Sequence, residues 1–266
     1  MKPKLLIIAM SLVAMMSVHN ALAWGGWGHH MTAYIAEKHL TPVAKQKCEQ
    51  YLRHSLPHYS SWQDSWRNSP PFEEIHYWHM NYVDMDYITI GRNGDITRDA
   101  VTQIERITRA MSKGQYRNMT DSLVAVNLKL LIHMVGDMHC PSHLSYPKES
   151  RLVGYSIKVR GKSVGRHAFW DSAPTMMHPK WNADQFLKAC DTYSPKQIKK
   201  IGKGTPSKWS FENANKMVET YRYWGKGANF SKLSKEQRKQ IDDMTREQLA
   251  YGGYRLATIL NKIFSK

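Results

Sequence analysis

The segment Leu131–His143 reads LIHMVGDMHCPSH, and it places side chains with metal-binding chemistry inside an apolar run. Because His133 and Asp137 are four residues apart, a helix would carry both side chains on one face. Burying them without partners would be costly, and a shared metal ion would remove that cost. Pro141 ends the helix, which lets His143 turn toward a neighbouring point. The segment therefore predicts an apolar helix that ends in a metal site.

A second histidine–carboxylate pair with the same spacing occurs at His167 and Asp171. Two such pairs on separate helices are difficult to explain as coincidence, although two independent structural pairs are the alternative. Nitrogen and oxygen ligands from histidine and aspartate favour zinc in a catalytic rather than a structural site. The same ligand types also suit manganese or iron.

The N-terminal segment Met1–Ala23 has the pattern of a secretory signal peptide. Two lysines precede the apolar stretch Leu5–Val18, and Ala21–Ala23 matches the small-x-small motif of a cleavage site. The stretch is too short for an ordinary membrane span, which needs about 20 apolar residues. We expect cleavage between Ala23 and Trp24 and a secreted or periplasmic protein with no membrane anchor after processing. An uncleaved anchor is the alternative.

The mature chain would then begin with the segment Trp24–His30, which reads WGGWGHH. A free α-amino group and its own carbonyl oxygen can chelate one metal in a five-membered ring. His29 would complete such a site if the glycines let the chain fold back. The alternative is that Trp24 is a buried aromatic residue and that the glycines form a turn.

Three candidates lie between these segments. Asp64 is a candidate metal ligand, and Arg67, one helical turn later, would reach a phosphate group. The alternative is a surface ion pair, because oppositely charged residues three positions apart on a helix interact with each other. His79 is a candidate ligand, with His76 as its competitor. A single histidine is more often a hydrogen-bonded structural residue.

The charge of the chain is strongly basic, at +16. The signal segment contributes two lysines and no acid, which leaves the mature protein near +14. Basic residues recur over 158–166 and 196–208. Such a balance suits polyanions, either nucleic acids or anionic lipid surfaces. A solvated basic face that only aids solubility is the alternative.

The three cysteines Cys48, Cys140 and Cys190 are too few for a disulfide-dense scaffold. An odd number in an oxidising compartment permits one disulfide and leaves one thiol. Whether Cys48 pairs with Cys190 is open. The hydrophobic core must supply the stability, and a mature chain of this length suffices for that.

Helical patterns dominate the mature chain and predict a mainly α, multi-helix, single-domain fold. We expect helices over 28–40, 42–53, 98–112, 168–177, 183–190, 210–225 and 235–264, and a long apolar helix that Asp121 caps. Ser234 with Gln237 resembles the capping box of the last helix. Gly252–Gly253 indicates close packing there, because glycine lowers helix propensity. The one β-like piece, Tyr155–Val164, predicts a small hairpin.

The motifs, taken in order, resemble one family over about 24–264. They read Trp-Gly-x-x-Gly-His from Trp24, Trp-x-Asp-x-x-Arg from Trp62, His-x-x-x-Asp-x-His-x-Pro-x-His from His133 and His-x-x-Trp-Asp from His167. This set resembles the S1/P1 family, the zinc-dependent single-strand-specific type I nucleases. It is distantly similar to the bacterial zinc phospholipases C.

The resemblance implies three zinc sites in one domain, 24–266. Asp64, His79, His133 and Asp137 would hold the first ion, and His143, His167 and Asp171 the second. The third would take the amino nitrogen and carbonyl oxygen of Trp24, together with His29 and a second oxygen of Asp137. Asp137 would therefore bridge two metals. Catalytic roles would fall to Asp64, Arg67 and Asp137.

The activity that the resemblance implies is hydrolysis of the 3′-O–P bond of single-stranded DNA and RNA to 5′-phosphorylated products, with 3′-nucleotides as further substrates. Zinc-activated water would attack phosphorus while Arg67 stabilises the phosphoryl oxygens. Tyr82 and Asp84 would stack against a base and contact its edge, although the run after His79 is two residues longer than is usual for the family. The protein would be a monomer.

Two alternatives are a zinc phospholipase C and a non-enzymatic, metal-stabilised binding protein. The phospholipases have His-x-x-x-Glu where this chain has His167 and Asp171, and the intact ligand set argues against a non-enzyme. Cys140 and Ser142 stand where the family has Gln and Leu, and Cys140 is a weaker candidate for a metal ligand.

Overall fold

The computed structural model describes residues 24–150, 152–221 and 224–265 and shows a mainly helical domain. The predicted signal peptide, 1–23, lies outside the described residues. The α-helices are α1 (Gly26–Lys38), α2 (Pro42–Leu52), α3 (Trp62–Trp66), α4 (Ala100–Met111), α5 (Asp121–His139), α6 (Arg166–Met177), α7 (Ala183–Cys190), α8 (Pro195–Ile201), α9 (Pro206–Thr220) and α10 (Lys235–Ile263). Short 3₁₀ helices cover Leu56–Tyr59, Glu73–His79, Gln115–Asn118 and Phe230–Lys232. The prediction of a mainly α fold is confirmed.

Helix α5, the long apolar helix that the sequence predicted, forms the centre of the fold. From Leu130 onward every residue of α5 is buried, including the polar ones. The helix ends just before Pro141, with Cys140 as its C-cap. Its N-cap is Thr120, whose hydroxyl accepts the N–H of Leu123, and the prediction that Asp121 caps it was wrong. Asp121 instead lies in the first turn, where its negative charge interacts favourably with the positive end of the helix dipole.

Helix α10 packs closely across α1 at its two glycines. A Cβ placed on Gly253 would lie 2.5 Å from Cγ2 of Ile35, and one on Gly252 would lie 3.0 Å from Cγ2 of Thr32. The predicted capping box at Ser234 is present. Within the part of the chain that the structure describes, no helix has both the length and the apolar character to cross a membrane.

Two small sheets complete the fold, where the sequence predicted one. The expected antiparallel hairpin forms from β3 (Ser156–Val159) and β4 (Lys162–Gly165). A further parallel pair, β1 (Asn81–Tyr82) and β2 (Leu144–Ser145), joins the segments that follow His79 and His143. Strands of two residues carry no periodic pattern, and the sequence therefore gave no sign of this pair.

The core consists of two hydrophobic clusters, and the end of α5 runs from one into the other. Met134 and Met138 belong to the first cluster, which α2, α4 and the end of α10 complete. Cys140 and Leu144 belong to the second, which also contains Trp24 and residues of α6, α7 and α9. The metal-ligand candidates therefore lie at the junction of the two clusters.

Several helices begin elsewhere than predicted because their caps were not recognised. Asp99 accepts the N–H groups of Val101 and Thr102, and α4 therefore begins at Ala100 rather than at 98. Thr205 caps α9, which begins at Pro206 rather than at 210. The sequence did not predict α3 or α8, which have only five and seven residues.

The three cysteines are free and buried. Cys48 lies in the first hydrophobic cluster and Cys190 in the second, and the two do not pair. Burial raises the pKa of both thiols to about 12. Both therefore stay protonated at neutral pH, and no disulfide among the described residues contributes to stability.

We expect Gly253→Ala to destabilise the protein by about 1–3 kcal/mol, because the added methyl group overlaps Ile35. Helix propensity by itself would make the alanine variant more stable than the glycine protein by about 1 kcal/mol. A loss of stability would therefore be specific to the close packing at Gly253. Urea unfolding of the purified variant measures the change. Gly225→Ala is the control, since no atom lies within 4 Å of the added methyl group. Equal stability of the two variants would contradict the packing argument.

Candidate metal centre

The centre begins with His133, which a backbone carbonyl orients. Its Nδ1 donates to the carbonyl oxygen of Ser60 at 2.7 Å. This contact leaves Nε2 free to face Oδ2 of Asp137 at 3.2 Å and Oδ1 of Asp64 at 3.7 Å. A histidine held in this way through its other nitrogen is typical of metal sites.

The carboxylate of Asp137 is fully buried, and its two oxygens face different histidines. Oδ2 lies 3.0 Å from Nδ1 of His79 and 3.2 Å from Nε2 of His133. Oδ1 lies 3.2 Å from Nε2 of His29 and 3.2 Å from Nδ1 of His143. The carboxylate is therefore positioned to be shared between metal ions on its two sides.

The first group of candidate ligands is Asp64, His79 and His133. Helix α3 presents Asp64, and Glu73–His79 presents His79. The buried amide of Gln63 donates to the carbonyl of Ile75 and ties these two elements together. Arg67 places Nη1 3.2 Å from Oδ1 of Asp64 while remaining partly exposed, which suits a cation that meets an incoming anion.

The second group joins the end of α5 to α6. Nε2 of His143 lies 3.0 Å from Nε2 of His167 and 3.9 Å from Oδ1 of Asp171, and His167 lies 3.3 Å from Oδ2 of Asp171. Nδ1 of His143 also donates to the carbonyl of His79 at 2.8 Å, which fixes its ring. His167 is exposed, and the group therefore opens to solvent on that side.

Cys140 lies beside the second group. Its sulfur forms, with His143 and Asp171, a set of atoms that could hold a metal ion. Its thiol is 3.5 Å from Oδ1 of Asp171 and 3.0 Å from Oγ of Ser142. Burial holds the pKa of this thiol well above its usual value. In the metal-free protein the protonated thiol therefore donates to Asp171.

The third group is His29, His133 and Asp137. The ring of His29 stacks on that of His133 with centroids 4.0 Å apart. A Cβ on Gly136 would come within 2.7 Å of Nδ1 of His29, and only glycine leaves room for that ring. The structure therefore brings His29 to the same carboxylate as the first group.

Trp24, the first described residue, is fully buried. A Cβ on Gly28 would lie 2.8 Å from Cβ of Trp24, and this glycine therefore lets the chain fold back. The N–H of Gly25 donates to the carbonyl oxygen of Asp171 at 2.9 Å, and the backbone N–H of Trp24 hydrogen-bonds Cys140. The start of the domain therefore packs against Cys140 and Asp171 of the candidate metal centre.

Tyr82 and Asp84, the predicted base contacts, lie outside the buried cluster. Tyr82 is half-buried on β1, three residues after His79. Oδ1 of Asp84 accepts the backbone N–H groups of Asp86 and Ile88 at 2.9 Å each. Asp84 therefore shapes its own loop, a role that the sequence did not reveal.

His139, the second histidine of the α5 motif, points away from the centre. It is fully buried, donates from Nδ1 to the carbonyl of Val135, and accepts from Arg255 at 3.0 Å. Six positions after His133, it lies on another face of the helix. Its role is to join α5 to α10.

Several buried polar atoms of these groups lack hydrogen-bond partners, which tests whether the residues fit a metal ion. Among the described residues, these atoms are Nδ1 and Nε2 of His29, Nε2 of His79, both oxygens of Asp64, Oδ1 of Asp137 and Oδ2 of Asp171. Buried polar atoms are normally satisfied, and such a concentration is expensive without a cation. The residues present therefore fit metal ions bound in three groups.

The protonation of the metal-free groups follows from burial and from neighbouring carboxylates. Burial lowers the pKa of His143 to about 3, which leaves its imidazole neutral and able to bind metal. Burial opposes a charge on His133, but Asp137 and Asp64 outweigh it and raise the pKa to about 9. Burial raises the pKa of Asp171 to about 8. A proton thus occupies His133 and Asp171 at neutral pH unless a metal displaces it.

We expect the stability of the metal-free protein to fall as pH rises from about 6.5 to 8. In this window folded Asp171 and His133 hold protons that the unfolded chain releases, and each proton contributes about 1.4 kcal/mol per pH unit. Below pH 6.5 the depressed pKa of His143 acts in the opposite direction.

Urea unfolding in the presence of a chelator, repeated across pH, measures this effect. Asp171→Asn serves as the matched variant, because it cannot titrate and should show a shallower fall over the same window. A metal-free protein whose stability is flat or rises from pH 6.5 to 8 would contradict these protonation states.

Comparison with known proteins agrees with this geometry. A family model described as S1/P1 Nuclease matches residues 24–265. The chain is 24% identical to Nuclease S1 from Aspergillus oryzae, with 99% of each chain covered. It is 23% identical to Nuclease P1 from Penicillium citrinum, covering 90% of this chain and 97% of the relative. It is also 23% identical to Endonuclease 1 from Arabidopsis thaliana, covering 98% and 93%.

The family match extends over almost all of the described chain, and it includes every candidate ligand from Trp24 to Asp171. The relatives are matched over nearly their full lengths, and the likeness therefore concerns the whole domain rather than one motif. A domain with His and Asp groups that fit metal ions is what a hydrolytic nuclease of this kind requires. The chain belongs to the S1/P1 nuclease family.

Proposed function

We propose that the mature chain, 24–266, is a secreted or periplasmic monomeric endonuclease that binds three zinc ions. It hydrolyses the 3′-O–P bond of single-stranded DNA and RNA to 5′-phosphorylated products, and it also acts on 3′-nucleotides. The observation that carries the proposal is the buried carboxylate of Asp137, whose oxygens face four histidines from different elements. Membership of a nuclease family supports the substrate class.

Each zinc ion would take one of the three groups of ligands. The first would use Asp64, His79, His133 and Asp137, the second His143, His167 and Asp171, and the third Trp24, His29 and Asp137. Nitrogen and oxygen donors without thiolate are typical of catalytic zinc. The unpartnered buried atoms of Asp64, His79 and Asp171 support this assignment.

The residues of the chain would divide the chemical work. When bound, zinc lowers the pKa of water and neutralises charge on phosphate oxygens. Arg67, held beside Asp64 and partly exposed, would donate to the phosphoryl oxygens as negative charge develops on them. Asp64 would serve both as a ligand and as the anchor that aims Arg67.

Selectivity for single strands would come from a base that leaves its stack. Tyr82, half-buried on β1 and close to His79, would support an unstacked base. Asp84 would contact the base edge from the loop that it stabilises. A base within a duplex would have to unpair first, which costs a few kcal/mol.

We expect Asp137→Asn to reduce activity by more than about 100-fold, because an amide cannot supply two anionic oxygens to neighbouring metals. The assay is digestion of single-stranded DNA and RNA by the zinc-loaded mature protein, combined with metal content per chain. Asp121→Asn is the control, since Asp121 is exposed on the same helix. It should retain wild-type activity and about three zinc ions.

Wild-type, zinc-loaded protein that leaves both nucleic acids intact from pH 5 to 8 would overturn the proposal. Hydrolysis of phosphatidylcholine without action on oligonucleotides would favour a phospholipase C instead. Rates on 3′-AMP and on a long single strand, measured side by side, distinguish an endonuclease from a 3′-nucleotidase.

We expect protein that retains one residue ahead of Trp24 to lose the third zinc ion and most of its activity. An amide nitrogen is a poor ligand, whereas the free amino group that signal cleavage would create binds metal well. Metal content and activity of the extended and the mature protein, purified in parallel, measure this. Full activity with three zinc ions in the extended protein would remove Trp24 from the ligand set.

A further inference from the structure

Two arginines of the loop 84–98 lie against the ring of Tyr77. Cζ of Arg92 is 4.8 Å from the ring centroid, and Cζ of Arg98 is 4.4 Å from it. Both distances fall within the range of cation–π attraction. The loop thus holds two guanidinium groups on one aromatic side chain. Of these two groups, only that of Arg98 has acidic partners among the described residues.

Arg98 is neutralised by carboxylates on two sides. Its Nη2 lies 3.5 Å from Glu74, and its Nε lies 3.6 Å from Asp95. Arg92, by contrast, has no carboxylate within 4 Å among the described residues. Its positive charge therefore remains available to an anion, although its ring contact keeps it in place.

The loop is fixed by its own backbone and acidic residues, which pre-positions Arg92. Asp95 pairs with Arg92 in an isolated β-bridge, and its carboxylate accepts the N–H and hydroxyl of Thr97. Asp99 accepts the N–H of Tyr82 at 2.8 Å and closes the loop at its far end. Gly91 has a φ of +75°, and a Cβ there would lie 2.2 Å from the carbonyl oxygen of Asp95. A loop held in this way loses little entropy on binding.

The position of Tyr77 connects Arg92 to the metal centre. Tyr77 precedes the candidate ligand His79 by two residues on the same 3₁₀ helix. His76 precedes Tyr77 in the chain, and the charges of Arg67 and Arg92 both act on it. Burial lowers the pKa of His76, and the charges of Arg67 and Arg92 lower it further. Arg92 therefore lies against the element that presents His79, whose Nδ1 is 3.7 Å from the same Oδ1 of Asp64 that Arg67 contacts.

We propose that Arg92 binds a second phosphate of the substrate strand, next to the phosphate at Arg67, and thereby favours polynucleotides over mononucleotides. This inference rests on the proposed nuclease function. A 3′-nucleotide offers no second phosphate in the chain direction and would gain little from Arg92. The planar fork of arginine suits the paired oxygens of a phosphodiester.

The experiment compares Arg92→Gln with Arg98→Gln in the zinc-loaded mature protein. Binding of a fluorescent phosphorothioate oligothymidylate, which keeps the backbone charge and resists hydrolysis, is followed by anisotropy at several salt concentrations. Arg92→Gln should weaken binding by about three- to tenfold. It should also lower the slope of log K against log salt by about 0.7, as expected for one lost contact with a single strand.

Arg98→Gln is the matched control. It also removes a guanidinium group from the ring of Tyr77, but the charge of that group is already paired with Glu74 and Asp95. Its salt slope should equal that of the wild type. Steady-state kinetics provide the second readout. Arg92→Gln should raise KM for an unmodified oligonucleotide several times more than KM for 3′-AMP.

Equal salt slopes for the two variants and the wild type, or equal effects on oligonucleotide and 3′-AMP, would overturn the role of Arg92. Failure of the nuclease proposal gives a different result. In that case wild-type protein would not cleave the unmodified strand, and the slopes would still report whether Arg92 contacts phosphate.

Discussion

The structure depends on one constraint, which is that the carboxylate of Asp137 is fully buried and must be balanced by positive charge. Four imidazoles converge on it, from α1, the 3₁₀ helix Glu73–His79, α5 and the segment after α5, and in the metal-free protein His133 is the one that carries the positive charge. A lone carboxylate in such a place would not stay ionised. Elements distant in sequence are therefore held together by a shared electrostatic requirement as well as by apolar packing.

Close packing around that carboxylate explains where the chain uses glycine and where it uses carbonyl groups. Gly136 gives the ring of His29 its space, and Gly253 brings α10 against α1, the helix that carries His29. The carbonyls of Ser60 and His79 fix the rings of His133 and His143. Ligand geometry is therefore set by the backbone of neighbouring elements, which is more rigid than a network of side chains.

The sequence predicted the parts of this arrangement that have a local signal. The spacing of His133 and Asp137, the apolar run around them and Pro141 were sufficient for α5 and its end. The ligand set as a whole came from the resemblance to a family, because no local pattern brings His29 or Asp64 to Asp137. The pair β1–β2, the N-cap at Thr120 and the loop role of Asp84 depend on tertiary contacts. No sequence pattern singled out Arg92, because its proposed role depends on two tertiary features. One is its contact with the ring of Tyr77, and the other is that Glu74 and Asp95 pair with Arg98 rather than with Arg92.

The loop 84–98 leaves the core at Tyr82 and returns at Asp99, and those two residues are hydrogen-bonded to each other. Its entry and exit are thus held together by this hydrogen bond, while β1 pairs with β2. We expect a slightly longer loop to leave the spacing of the candidate ligands unaltered, because closing it costs little extra entropy. The fold thereby separates a part that must stay constant from a part that evolution can vary. If Arg92 binds the substrate strand as proposed, changes in the loop could alter strand preference without changing the candidate metal centre.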